Sequence, residues 1–181
     1  DYDSVVKSNP SVIYCSISGY GQTCGLSHEA GHDVNYLSKA GVLDLIGEKE
    51  GAPVIPAVQL ADISGALHGV IGILLALQER EKSGIGQYID ISMTDSLHGY
   101  LAVPFSLRKK GMVQKRSSSL FSHRYGCYNT YETSDGKYFS IGAVENRFWK
   151  NLCTKIGLEK YIPLQYDEGS RKEIIAALRE M

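Results

Sequence analysis

Apolar and polar positions along the chain change period several times, and each change marks an expected element. In SVIYCSISGYG (11–21), β-branched and aromatic residues run as far as Gly19 and Gly21, which predicts a buried strand leaving through a glycine turn. In SHEAGHDVNYLSKAGVLDLIG, Val34, Leu37 and Leu45 keep helical spacing, but Gly31 and Gly41 interrupt it. Two short helical pieces, or a loop and a helix, are expected there. EKEGAPVIPAVQL, with Pro53 and Pro56, reads as a linker-like crossing. The strongest helix follows in ADISGALHGVIGILLALQEREKSGIG. Its Ile63, Leu67, Val70, Ile71, Leu74 and Leu77 fall on one broad face, the pattern of a helix laid against a core. Charges gather at its end, and Gly84 and Gly86 stop it.

QYIDISM alternates as a strand. TDSLHGYLAVPFSLRKKG predicts a second helix, capped by Thr94 or Asp95 and bent or ended near Pro104. After the polar stretch GMVQKRSSSLFSHR the character changes. YGCYNTYETSDGKYFSIGAV gives two alternating strands about Ser134-Asp135-Gly136-Lys137, a hairpin signal. An amphipathic helix starts at Glu145 or Asn146, and GSRKEIIAALREM predicts another. These periods divide the chain into residues 1–110, part of an α/β layer domain, a linker at 111–117, and a smaller α+β domain at 118–181.

Composition narrows the function classes. The 181 residues carry a net charge of −1 and are 43% hydrophobic, so a nucleic-acid partner has no electrostatic support. No apolar run reaches the roughly 20 residues that span a bilayer. The longest, GVIGILLALQER, ends in charge, so no membrane partner is expected. Cys15, Cys24, Cys127 and Cys153 are widely spread with no C-x-x-C pair, which suggests reduced packing thiols in a cytoplasmic protein. The chain opens on DYDSVVKSNP and closes inside a helical pattern, so an internal fragment of a longer protein is expected.

His28-Glu29-Ala30-Gly31-His32 matches H-E-x-x-H, which on a regular helix sets two imidazoles on one face for zinc, with the glutamate beside the metal-bound water. Gly31 inside the motif argues against that helix, and Asn35 and Ser38 stand where the longer zinc pattern needs Gly and His. A zinc hydrolase at His28, Glu29 and His32 is therefore a weak alternative. A degenerate, non-catalytic binding module is another.

GHD at 31–33, LAD at 60–62 and GAVENRFW at 142–149 each put a titratable group at an element boundary. Asp62 falls at the positive end of a long helix, whose field favours a carboxylate. Read locally, Asp62 is a plain helix cap, Glu145 a first-turn acid and His32 a satisfied histidine. Together with NPSVIYCSISGYGQTCG, AGHDVNYLSKAGVL, LADISGALHGVIGILLALQEREKSGIGQYIDISMTDS and YNTYETSDGKYFSIGAVENRFW, these segments resemble the family III CoA-transferase and α-methylacyl-CoA racemase (CaiB/BaiF) superfamily over about residues 8–157. GHD with VNYL looks like the racemase branch, because transferases more usually carry an aromatic residue where His32 stands.

The resemblance implies part of a Rossmann-like large domain with long helices, plus a smaller α+β domain. It implies His32 and Asp62 as the catalytic pair and Glu145 as the acid that orients His32. Gly31, Asp33, Val34, Asn35 and Tyr36 match the loop against the thioester, and Tyr128 matches an aromatic residue on the acyl side. The implied activity is inversion of 2-methylacyl-CoA by 1,1-proton transfer, in lipid metabolism. It uses no metal or organic cofactor, CoA being part of the substrate, and the full-length protein is implied to be an interlocked homodimer. In the transferases the position of Asp62 is the nucleophile that forms an aspartyl-CoA thioester, which gives the alternative activity. Val58 departs from the racemase pattern, which has Asn four residues before the aspartate. An enolate intermediate also needs hydrogen-bond donors, and the backbone N–H groups starting the Asp62 helix are the expected ones.

Overall fold

The computed structural model describes residues 1–112 and 115–181. Of the expected linker, residues 113 and 114 lie outside the described residues. The chain divides into two units, Asp1–Ile46 with Ala52–Val113, and Gly47–Gly51 with Gln114–Met181. The small excursion at Gly47–Gly51 joins the second unit through long-range bonds that local spacing does not encode: Ser117 Oγ donates to the Gly47 carbonyl at 2.9 Å.

In the first unit, helix α1 (Tyr2–Ser8) is capped by the Asp1 carboxylate, which accepts from the Ser4 N–H. Strand β1 (Tyr14–Ser18) follows. Helix α2 (Asp33–Ala40) ends on Gly41, whose φ of 78° lies in the left-handed region that a C-cap glycine adopts without strain. Helix α3 (Leu60–Ser83) then crosses back to β2 (Tyr88–Ser92). The two strands pair in parallel, from Tyr14 opposite Tyr88 to Ser18 opposite Ser92. Parallel neighbours require such a crossover, and this β–α–β arrangement is the unit of a Rossmann-like layer.

Within this unit α3 packs through its small side chains. Its buried residues are Ala61, Ser64, Gly65, Gly69 and Ala76, a stripe of small side chains. A Cβ added at Gly69 would meet Ile17 of β1 at 3.0 Å, and one at Gly72 would meet Ile89 of β2 at 3.0 Å. The glycines bring the helix axis close to the sheet. The large residues face away, and their exposure runs from 47% at Ile63 to 61% at Leu75, with Leu67, Val70, Ile71 and Leu74 between. The expectation about bilayers also changes: α3 is 24 residues long with a mean hydropathy of 1.9 over 18 of them, enough by length and composition to cross a membrane. The glycines and alanines of its small face extend the apolar run beyond GVIGILLALQER. That small face is laid against β1 and β2, so in this unit α3 is one layer of an α/β sandwich.

Beyond β2, helix α4 (Met93–Ser96) starts earlier than expected. Its cap is Ser92, whose hydroxyl accepts from Asp95 N–H, so neither Thr94 nor Asp95 is the cap. A 3₁₀ stretch at Leu97–Leu101 leads to α5 (Ala102–Lys109). Pro104 does not end this helix, because it lies in the first turn, where a missing N–H leaves no bond unmade. Tyr20, Tyr36, Leu37, Val42, Ala61, Leu97 and Leu101 form the unit's buried core.

The second unit is built on the expected hairpin. Strands β3 (Tyr128–Glu132) and β4 (Tyr138–Gly142) pair antiparallel around a turn closed by the Thr133 N–H to the Lys137 carbonyl at 2.8 Å. Helix α6 (Asn146–Lys155), a 3₁₀ stretch at Glu159–Leu164 and α7 (Arg171–Arg179) cover it. Trp149, Tyr131, Ile174, Cys127 and Cys153 are buried at its centre, and the Trp149 indole donates to the Tyr161 carbonyl at 3.0 Å. All four cysteines are free thiols, and burial raises the Cys127 and Cys153 thiols above their ordinary range.

Candidate active site

Two helix starts meet in the first unit. His32 is the N-cap of α2, with extended backbone at φ −125° and ψ 174°. Its carbonyl accepts from the Asn35 N–H at 2.8 Å, and its own N–H donates to Asn35 Oδ1 at 3.0 Å. The backbone carrying the imidazole is thus fixed from both sides, while the residue itself is exposed. Tyr36 holds the loop from below: its hydroxyl donates to the Gly31 carbonyl at 2.6 Å, and its ring meets Tyr20 edge-on at 5.2 Å.

Gly19 and Gly31 flank that ring. A Cβ at Gly19 would lie 2.4 Å from Tyr36 Cε1, and one at Gly31 2.8 Å away. The glycines of SGYG and GHD are therefore room for one tyrosine. Tyr20 and Gly19 belong to the support of the site, and no local motif marks them. Burial first, then the neighbouring Tyr20 and Asp62, raises the Tyr36 phenol above its usual range and keeps it a donor.

Asp33 ties α2 to α3. One of its carboxylate oxygens accepts from the Ala61 N–H at 2.6 Å and the Asp62 N–H at 3.2 Å. These are orphan donors in the first turn of α3, so Asp33 acts as a cap supplied from 28 residues away in sequence. Two of the starting N–H groups of the Asp62 helix, expected to serve an enolate, are therefore already bonded to Asp33. The backbone N–H groups of Asp33 and Val34, at the start of α2, have no acceptor among the described residues. Asp62 itself is not the helix cap, which is Gln59. It lies in the first turn, exposed, and its carboxylate has no hydrogen-bond or ion-pair partner among the described residues. Val58 is 52% exposed.

The H-E-x-x-H reading fails on geometry. His28 and Glu29 lie in an exposed turn before α2, and His32 is its cap, so no helix puts the two imidazoles on one face. Among the described residues no cluster of three histidine, cysteine or acidic side chains could hold a metal. A separate cleft of about 320 Å³, lined among others by Thr23, Cys24, His68 and Asp90, contains none of the expected site residues.

The other two expected residues lie in the second unit. Glu145 is the N-cap of α6, exposed, and its side chain makes no capping hydrogen bond. Glutamate is a poor cap, and here it does not serve as one, so its carboxylate is left for other work. Tyr128 opens β3, 38% exposed, with its ring edge-on to Phe121 at 5.7 Å. The structure thus joins Gly31–Tyr36 with Asp62 in one unit and places Glu145 and Tyr128 in the other. Within the loop, the side chains of Asp33, Asn35 and Tyr36 are spent on internal hydrogen bonds.

Comparison with known proteins agrees with this arrangement of elements. α-Methylacyl-CoA racemase of Mus musculus is 38% identical over 175 residues, covering 95% of this chain and 46% of the racemase. Succinyl-CoA:glutarate CoA-transferase of the same species is 30% identical over 186 residues, covering 98% of this chain and 42% of the transferase. The crystal structure of a CaiB/BaiF family protein from Brucella suis superposes with a TM-score of 0.81 at 32% identity, over 99% of this chain and 49% of that one. The chain spans about half the length of the curated relatives it matches. The family model described as CoA-transferase family III matches residues 1–181, and the chain belongs to that family.

Proposed function

We propose that the full-length protein is a cytoplasmic acyl-CoA epimerase that inverts the α-carbon of 2-methylacyl-CoA thioesters without a metal or organic cofactor. The thioester carbonyl acidifies the α-proton. His32, neutral, removes that proton from one face, and the protonated Asp62 carboxyl returns one to the other. In the reverse direction the two exchange roles. General acid–base help of this kind supplies roughly 10²–10⁴-fold. The enolate oxygen formed between the two steps is assigned to the free N–H groups of Asp33 and Val34, and one such donor contributes about 3–4 kcal/mol. Glu145, on the family resemblance, orients the imidazole in the assembled protein.

The observation that carries this reading is the Asp33 bridge, which fixes the start of α2, and His32 with it, against the start of α3, where Asp62 lies in the first turn. The 38% identity to a racemase supports it. The test is to give the full-length protein one enantiomer of a 2-methylacyl-CoA, with no acceptor acid present, and to resolve the stereoisomers. Both should appear. A single enantiomer persisting through long incubation contradicts the proposal.

The second reading is a CoA transferase working through an aspartyl-CoA thioester at Asp62. The exposed, unpaired carboxylate and the relative at 30% identity favour it. Hydroxylamine trapping after incubation with acyl-CoA should leave Asp62 unmodified if the epimerase reading holds. An Asp62 hydroxamate supports the transferase.

The family resemblance supports a further part of the proposal, that the full-length protein is a homodimer. Light scattering on the full-length protein should give twice the chain mass, and a monomeric mass contradicts the assembly.

A further inference from the structure

Glu145 sits where β4 ends and α6 begins, and its backbone is held there by a segment that plays no part in either element. Gln165 follows the 3₁₀ stretch at Glu159–Leu164 and is 6% exposed. Its amide Nε2 donates to the Ala143 carbonyl at 3.0 Å and to the Val144 carbonyl at 2.8 Å. The adjacent Tyr166 hydroxyl also donates to the Val144 carbonyl, and it accepts from Gln165 Nε2 at 3.0 Å. On the far side, the Glu145 carbonyl accepts from Phe148 N–H at 2.9 Å and Trp149 N–H at 3.1 Å. The peptide groups on both sides of Glu145 are therefore fixed, and its side-chain torsions are the freedom left to it.

Two carbonyls facing one amide fix which edge of that amide points at them, because only the NH₂ edge donates. The opposite edge shows what this arrangement costs: Gln165 Oε1 is buried and has no hydrogen-bond partner among the described residues. A methionine of the same length would remove that acceptor but would leave the Ala143 and Val144 carbonyls without the donor that holds them, so the amide's work here is to hold this turn. Tyr166 is close enough to Glu145 that the carboxylate contributes to raising its phenol, after burial and Cys127, which keeps the phenol protonated as a donor.

We infer that Gln165 and Tyr166 are positioning residues for Glu145, holding the 143–145 turn so that the carboxylate is presented at one fixed place. This rests on the proposed role of Glu145 in orienting the catalytic histidine. Misplacement of such a group by a fraction of an ångström to an ångström lowers turnover by up to about 10²-fold.

The experiment uses the full-length protein and α-proton exchange of a 2-methylacyl-CoA. Gln165→Met should lower kcat by roughly 10–100-fold with KM within about twofold of wild type. In the double variant the loss should be no greater than in Glu145→Gln alone, since the two act as one unit. Tyr166→Phe, which keeps the ring, should give a smaller loss of the same kind, and far-UV circular dichroism and Tm control for folding. If Glu145→Gln lowers exchange while Gln165→Met and Tyr166→Phe leave kcat unchanged, or if their losses multiply with it, the inference is overturned. If Glu145→Gln itself has no effect, the assignment of Glu145 falls first and the inference with it.

Discussion

Replacing His32 by Ala in the full-length protein is expected to lower α-proton exchange by about 10²–10⁴-fold, with the KM for the thioester little changed. The size follows from losing one of two proton-transfer groups while the donors for the enolate stay in place. Folding should survive, because His32 is exposed and its backbone bonds to Asn35 do not need the imidazole. The variant also separates the two activities. An aspartyl-CoA route needs the Asp62 carboxylate but no histidine, so CoA movement between acids would persist in His32→Ala. Exchange within twofold of wild type in this variant would remove His32 from the mechanism.

Trp149→Ala is expected to destabilise the second unit by about 3–5 kcal/mol, the range for deleting a buried tryptophan. Trp149 is 1% exposed, and its indole satisfies the Tyr161 carbonyl, which the deletion leaves unpaired. In a unit of this size such a loss lowers Tm by at least about 10 °C. Hydrogen exchange should locate the change in β3, β4, α6 and α7 and leave α3 protected. A melting shift of only a degree or two would mean that Trp149 is not the centre of this core. Because the backbone N–H of Trp149 also binds the Glu145 carbonyl, losing the ring that anchors this turn of α6 should loosen the turn that presents Glu145.

Elements governed by neighbours in sequence were legible without coordinates. The β3–β4 hairpin announces itself through alternation around Asp135-Gly136, and α6 and α7 through their apolar period. Where a distant partner decides, local spacing fails. The 3₁₀ stretches at Leu97–Leu101 and Glu159–Leu164 have no period of their own, and α1 depends on the Asp1 cap. Helix α3 was legible as a helix but not in orientation. The large side chains mark one broad face, and only the structure shows that Gly65, Gly69 and Gly72 let the opposite face approach β1 and β2 closely.

The site divides along the same line. Boundary positions for His32, Asp62 and Glu145 could be read locally, but their roles came only through the family resemblance. Asp33 was placed with the substrate loop, and its bond to the Ala61 N–H across 28 residues changes which N–H groups are free. Gln165 carried no signal at all, since a buried glutamine in a loop is recognised only by the carbonyls it meets.

The central claim is that an imidazole and a carboxylate move protons at the carbon beside the thioester. The most direct measurement is deuterium uptake at that carbon when the full-length protein and a 2-methylacyl-CoA are incubated in heavy water with no acceptor acid. One deuteron per α-carbon is expected at equilibrium, arriving in both stereoisomers. Retention of the original proton, while CoA is passed to an added carboxylic acid, would contradict it.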